Sequence, residues 1–589
     1  MIQGIAAAAG VAIGKAFVLP TWEWDVPDQK LDTVDLTQEF ERLYEGIRTS
    51  KHEIESMKNE FEEIAGPEES SIFDAHIAIL EDPEFMNEIR GLIERQYKAA
   101  EVAVQEATDH FVTMFDLLDD EYMKERAADI KDVGNRLLKH LLGAPEVTLP
   151  TDTQPYVLVA KELPPSQLVH LNPQHVLGIV TMMGGKTSHS AIMARALGIP
   201  LVSGLENELE SLIQTGEMVV VDGDQGRVYV EPDAQIIESY QRLRTEQQQR
   251  KRQLALLTSV EPVTSDGMKM RLSANISSIK ELDIALNHGA EGVGLFRTEF
   301  MYMDRKSLPE EQEQFEIYRL VVEKSKGQPV VIRTLDIGGD KELDYFELPE
   351  EENPFLGYRA IRICLDHPEM FRTQLRAILR ASAYGKVKIM YPMISSLEEL
   401  RRANAALKQA KQELDQRKEH YDPDIEVGIM IEVPAAVAIA DLLADECDFF
   451  SIGSNDLVQY VLAVDRMNEH IAHMYNPYHP AVLRMLRATV EAARASGIPV
   501  SICGEMAGDE RSLPFWMHLG VQQLSMSPQS LLRIKQSILH TSSTEAAQQA
   551  ARWMKLKTAA EIEQEMSRYN TALHELIAAD EQLTCSPIS

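Results

Sequence analysis

Cysteine is scarce, with four residues in a chain of 589. Cys364, Cys447, Cys503 and Cys585 stand far apart without metal-ligand spacing. This excludes a disulfide framework and suits a reducing cytoplasm. Positive charge is also short: 58 Lys and Arg face 93 Asp and Glu, a formal net charge of −35. Nucleic acid and anionic membrane are themselves polyanions and are poor main partners for such a chain, while a local basic pocket for a small anion stays open. No stretch reaches the roughly 18 uncharged apolar residues of a membrane-spanning helix. The apolar start up to Phe17 has no basic leader, its first charge being Lys15, and it reads as buried strand rather than secretory signal.

What is present is ordinary for soluble globular protein, 44% apolar and 26% charged residues. The length allows roughly three to five domains. Residues 1–20 and 146–232 read as short strands and turns of one small α/β domain. Residues 21–145 interrupt it with polar-apolar stretches of helical spacing, broken at Gly66-Pro67 and around Asp82-Pro83. From Thr21 to His140 there are 31 acidic and 13 basic residues, a net of −18. Such a face is either simply solvated or a docking surface for a basic partner. Residues 233–260 have the polar composition of a helical connector. From about 268 onward apolar runs alternate with helical patterns: 270–275, 292–297, 330–333, 387–391, 426–432, 448–453, 499–504 and 523–526. This beat predicts a (β/α)8 barrel over 261–575, followed by a tail at 576–589. An open doubly wound sheet is the alternative.

Barrel active sites lie at the C-terminal ends of the strands. Those ends carry Asn275, Arg297, Arg333, Tyr391, Glu432, Asn455 with Asp456, and Cys503. Arginines are bidentate donors for phosphate or carboxylate, and two carboxylates with open coordination suit Mg²⁺. Each charge alone reads as a rim salt bridge; two arginines, two carboxylates, an amide and a thiol on six strands read as a site. Cys503 is either a small buried hydrophobe or a protonated thiol able to act as general acid. A second constellation is Gly184-Gly-Lys-Thr-Ser-His189-Ser-Ala-Ile-Met-Ala-Arg195, a glycine-rich turn leading into a helix. It lacks Walker A spacing. His189 near that helix N-terminus is either a cap or surface residue, or a phosphoryl acceptor whose added negative charge the helix end favours.

The segment Gly184–Arg195 resembles the phosphohistidine signature of the phosphoenolpyruvate-utilising enzymes. Asp448-Phe-Phe-Ser-Ile-Gly-Ser-Asn-Asp-Leu-Val-Gln-Tyr-Val-Leu-Ala-Val-Asp-Arg466 resembles their second signature. The order of the two signatures and the length resemble the enzyme I branch of the bacterial sugar phosphotransferase system. That likeness runs from Gly4-Ile5 through Glu121–Ile130 to Ser525-Met-Ser527. It implies an N-terminal phosphohistidine domain with an inserted helical subdomain that binds the phosphocarrier protein HPr, and a C-terminal barrel that binds phosphoenolpyruvate and forms a homodimer. It implies that His189 takes the phosphoryl group on Nε2 and that Arg297, Arg333, Asn455, Asp456 and Arg466 hold the substrate. Arg359 and Lys341 match family segments near it. Glu432 and Asp456 would bind Mg²⁺, and Cys503 would protonate the enolate of pyruvate. The nucleophile and the barrel belong to separate domains, so the connector at 233–260 is the expected hinge region. Two other readings are a phosphotransferase of the nitrogen-related branch, usually preceded by a sensory domain, and a sensor that binds phosphoenolpyruvate without turnover. The chain also departs from the family pattern. Leu168 occupies the position of a usual threonine, and Thr181-Met-Met-Gly-Gly185 replaces T-D-x-G-G. Ser166, Ser188 or a backbone carbonyl is therefore the expected partner that orients the His189 ring.

Overall fold

The computed structural model describes residues 1–589 except 20–25, 27–35, 65–69, 71, 117–120, 145–153, 170, 187, 206–212, 304, 340–342, 344, 347, 350, 469 and 585–589. The break expected at Gly66-Pro67 and the site candidate Lys341 lie outside the described residues. The chain forms two compact units, Met1–Gln249 and Arg250–Ser589.

The first unit is built on a mixed eight-stranded sheet. Its strands are β1 (Ile2–Gln3), β2 (Ile5–Ala8), β3 (Val11–Val18), β4 (Tyr156–Ala160), β5 (Val176–Thr181), β6 (Leu201–Ser203), β7 (Met218–Asp222) and β8 (Arg227–Val230), in the order β1-β8-β7-β3-β4-β5-β6-β2. β3, β4, β5 and β6 pair in parallel. β4, Tyr-Val-Leu-Val-Ala, is buried throughout; a central strand covered on both faces reads as a continuous apolar run rather than an alternating one. β6 is only three residues long and carries no periodic signal that a sequence reading could use.

Between β3 and β4 the chain makes long helices, Leu36–Ile64, Ile72–Leu80, Pro83–Gln96, Ala100–Asp116 and Glu121–Leu142. The break around Asp82-Pro83 is a helix start. The Asp82 side chain accepts from the Glu84 and Phe85 amides at 2.8 and 2.9 Å, and Pro83 takes the first helical position, where a missing N–H costs nothing. Leu43, Ile54, Phe61, Phe73, Ile89 and Leu137 are buried between these helices, in one apolar cluster that continues to Leu158 and Leu201 of the sheet. Most of the described acidic side chains stay on the outer faces, while Glu39, Asp129 and Asp132 are buried.

Helix Ala234–Leu256 has no buried residue. Its 23 residues span about 34 Å at 1.5 Å each.

The second unit is a closed barrel of eight parallel strands: β9 (Arg271–Ile276), β10 (Val293–Phe296), β11 (Val330–Arg333), β12 (Val387–Tyr391), β13 (Glu426–Ile431), β14 (Phe449–Ile452), β15 (Val500–Ile502) and β16 (Gln523–Met526). β16 pairs with β9 to complete the ring. The open doubly wound sheet is thereby overturned. The helices between strands carry their own stops, such as the capping box in which Ser396 accepts from Glu399 N–H and Glu399 reaches back to the Ser396 amide. The segment expected as a tail from 576 is instead the continuation of helix Ala559–Thr584, with Leu573 and Ile577 buried; its apolar spacing carries the helix past that point. No described helix is long and apolar enough to cross a membrane.

Asp266 fastens the approach to β9 to the helix Ser543–Trp553. Its carboxylate accepts from the Thr264 hydroxyl at 2.6 Å and from the Ser543 and Thr544 amides, each at 2.9 Å. The Thr264 hydroxyl first, then those amides, hold its carboxyl far below the ordinary carboxylate range. The folded chain therefore binds this proton less readily than the unfolded chain, whose Asp titrates at about 3.9. The contribution is complete above that pH and declines as pH falls below it. In urea melts of the full chain, the stability gap between the parent and Asp266→Asn should be constant above about pH 5 and close below about pH 4. A gap that ignores pH would refute this.

Candidate active site

Each barrel strand delivers its last residue to one rim. β11 ends at Arg333, which is buried. Its guanidinium pairs with Glu299 and, at 3.1 Å, with Asp336. Burial works against its charge, but Glu299, Asp336 and Glu432 outweigh it, so it stays charged. Arg359 is also buried and shares Asp336, its Nη2 lying 3.1 and 3.2 Å from the two carboxylate oxygens. Its Nη1 donates to the Tyr460 hydroxyl at 3.1 Å and lies 3.8 Å from Asp456. Glycine is required at 338 in Asp336-Ile-Gly-Gly: φ is +96°, and a Cβ there would meet the Tyr358 carbonyl and Arg359 Cβ at 2.7 Å.

Glu432 follows β13 and is fully buried. Oε1 accepts from the Met393 amide at 2.6 Å, while Oε2 is buried with no hydrogen-bond partner among the described residues. Burial first, then the charges of Asp456 and Asp336, push its carboxyl up to about 8 against the pull of Arg333 and Arg359. A buried carboxylate oxygen left without a donor is costly unless a cation meets it. Asp456, in the first turn of helix Ser454–Leu462, supplies a second carboxylate nearby. Two hard oxygen donors with the rest of the coordination sphere open fit a divalent ion that shares a phosphate. Among the described residues no group of three or more His, Cys, Asp or Glu is arranged for a metal.

Cys503 follows β15, with Sγ 3.5 Å from the Ile452 carbonyl. Burial pushes its thiol up to about 11, opposed by a Ser451 hydrogen bond and by Arg333 and Arg297. It carries its proton at neutral pH. Its carbonyl accepts from Asn275 Nδ2 at 2.8 Å. Asn455 is anchored to the next turn, its Oδ1 accepting from the Glu505 amide at 2.9 Å. Arg297, exposed, lines a cavity of about 290 Å³ together with Asn275, Asn455, Cys503 and Glu505. Arg466 is half-buried, and its amide donates to Gln459 at 3.2 Å. A roomier cleft of about 530 Å³ lies at the opposite, N-terminal end of the strands, lined by Arg271, Val500 and Gln523; that end of a barrel serves stability.

In the first unit His189 opens helix His189–Leu197, whose N-cap is Ser188. The ring is about one-third exposed, and its Nδ1 lies 3.7 Å from Asp129.

Glu299, Asp336, Tyr460 and Asp129 are neighbours of the candidate residues that the sequence does not single out. Glu299 lies two residues past the apolar run 292–297 and Asp336 three past 330–333, and an arginine destined for burial always asks for such a carboxylate.

Comparison with known proteins gives one answer. The phosphoenolpyruvate-protein phosphotransferase of Priestia megaterium is 47% identical over 537 residues, 91% of this chain and 93% of that protein. The chain belongs to the phosphoenolpyruvate-protein phosphotransferase family. The enzymes of the same name from Geobacillus stearothermophilus and Bacillus subtilis strain 168 are 46% and 45% identical, each over 95% of this chain and over 96% and 98% of their own length. Three parts of the PEP-utilising enzymes match in turn: the N-terminal part over residues 3–126, the mobile domain over 152–226 and the PEP-binding domain over 251–543. His189 falls in the second and the barrel rim in the third. The family uses a divalent metal.

The two rim arginines should differ in what they hold together. Arg333→Ala strands buried Glu299 and should destabilise the barrel by about 3–5 kcal/mol. Arg297→Ala, at an exposed position, should change stability by less than about 0.5 kcal/mol. Chemical denaturation of both variants checks this; equal losses would contradict it.

Proposed function

We propose that this chain transfers the phosphoryl group of phosphoenolpyruvate to His189 Nε2 and from there to a histidine of HPr, releasing pyruvate as the first step of a sugar phosphotransferase system. The observation that carries the reading is the company around Glu432: an orphaned buried carboxylate oxygen, a second carboxylate, two buried guanidinium groups and a protonated thiol at one barrel rim. Phosphoryl transfer needs charge neutralisation and alignment more than covalent help.

Arg297, Arg333, Arg466 and Asn455 bind the phosphate and carboxylate of the substrate, with Arg359 beside them; Lys341 joins them on sequence alone. Glu432 and Asp456 hold the divalent ion, and their hard oxygens favour Mg²⁺. That ion, when bound, neutralises charge on the transferring group. As the phosphorus–oxygen bond breaks, its electron pair leaves with the enolate, and the Cys503 thiol gives a proton to the methylene carbon. Nucleophile and substrate site reside in different compact units, and helix Ala234–Leu256, free of buried side chains, is the hinge element. The acidic helical face is the docking surface for HPr.

With labelled phosphoenolpyruvate and Mg²⁺, the parent should take up an acid-labile phosphoryl group and His189→Ala should take up none. Cys503→Ala should keep its substrate affinity while pyruvate formation falls by about 10²–10⁴-fold, because the proton is given only in the transition state. Label persisting on His189→Ala, or a parental rate in Cys503→Ala, defeats the respective assignment. A sensor without turnover would bind phosphoenolpyruvate and form no pyruvate at all.

The barrel unit is also the proposed homodimer contact. Light scattering with substrate and Mg²⁺ should give twice the chain mass of 66.3 kDa; a monomer under those conditions rejects it.

A further inference from the structure

A histidine that attacks phosphorus through Nε2 must keep its proton on Nδ1, and the partner of Nδ1 decides this. The side chain at the position where the resemblance implies a hydroxyl is Leu168, which is fully buried and has no polar atom to offer. The two serines expected to replace that hydroxyl are committed elsewhere. Ser188 caps the helix by accepting from the Ala191 amide, donates to the Gly185 carbonyl at 2.9 Å and lies 3.0 Å from Ser190 Oγ. Ser166 donates to Asp132 at 2.7 Å.

What faces Nδ1 is a carboxylate. Asp129, on helix Glu121–Leu142, is 4% exposed, and its Oδ1 lies 3.7 Å from His189 Nδ1. The same oxygen lies 3.3 Å from Nε2 of His76, which is itself 1% exposed. The far side of the His76 ring, Nδ1, lies 3.8 Å from Asp132 Oδ2. His76 thus sits between two buried carboxylates, and the nearer of them also looks onto the nucleophile.

We propose that Asp129 is the positioning residue of this chain's nucleophile: it accepts the Nδ1–H of His189, which leaves the Nε2 lone pair for phosphorus, and His76 and Asp132 fix the carboxylate. This rests on His189 being the phosphoryl acceptor. At 3.7 Å the contact is an ion-pair distance, and a small rotation of the ring closes it to a hydrogen bond; catalytic hydrogen bonds are often long before substrate arrives. In the step, Nε2 shares its pair with phosphorus while the bond to the enol oxygen breaks and its electrons leave with the enolate. The ring keeps its Nδ1 proton and becomes cationic, and Asp129 faces that new charge. Its contribution therefore grows toward the transition state.

The test reads the ring proton directly. In ¹⁵N–¹H spectra of the unphosphorylated full chain, the His189 proton should sit on Nδ1 in the parent and move toward Nε2 in Asp129→Ala and Asp129→Asn. Phosphoryl acceptance from phosphoenolpyruvate should fall on the order of 10²-fold in both, with substrate affinity unchanged. Asp129→Asn keeps the size of the side chain and carries the test if the alanine variant fails to fold. His76→Gln should lower the rate in the same direction by less. A parent ring protonated on Nε2, or Asp129→Asn accepting at the parental rate, overturns the proposal. The tautomer is measured before any transfer, so this failure is distinguishable from failure of His189 to accept phosphate.

Discussion

Asp336 is the charge on which the barrel rim depends. It is buried and meets Arg333 at 3.1 Å and Arg359 at 3.1 Å. A guanidinium cannot discard its proton when buried, so the fold has to supply an anion or lose the arginine to solvent. One carboxylate held between two such groups also fixes both side chains before any substrate is present. Ordering long side chains costs entropy, and here folding has met that cost in advance of binding. Glu299 completes the balance on one side, and Asp456 touches it on the other.

The same rim raises the proton affinity of two of its groups. The Glu432 carboxyl and the Cys503 thiol are both displaced upward, chiefly by burial. Their surroundings differ. The Glu432 Oε2 oxygen is held without a partner among the described residues, while the Cys503 thiol keeps its proton at neutral pH. One desolvated pocket therefore raises two groups of different chemistry, each beside different neighbours.

Much of this was legible in the residues. The barrel was visible because parallel strands buried on both faces leave unbroken runs, as in Val330-Val-Ile and Val427-Gly-Ile-Met-Ile, and because the rim residues follow those runs directly. β6 was not, being only three residues of sheet after a proline. Nor was the end of the last helix, where Ile577 continues a spacing that was read as a tail. The site residues that escaped notice are second partners: Asp336, Glu299 and Asp129 act on groups that reach them only through folding. Asp129 stands 60 positions before His189 in an inserted subdomain, and no local pattern joins them. Leu168, where the resemblance implies a threonine, signals that another group faces the ring, but that group can be named only once helix Glu121–Leu142 is placed against the turn.

The burial of Cys503 bears on how the protein meets oxidants. Peroxides and electrophiles react with thiolate, and a thiol pushed up to about 11 is almost entirely protonated at neutral pH. It is also 3% exposed. Catalytic cysteines that act as nucleophiles are made vulnerable by the low pKa their chemistry demands. A cysteine kept as an acid inverts that bargain, and the first rung of the oxidation ladder, sulfenic acid, is hard to reach from it. Under oxidative stress this rim should be among the last thiol sites in a cell to be silenced.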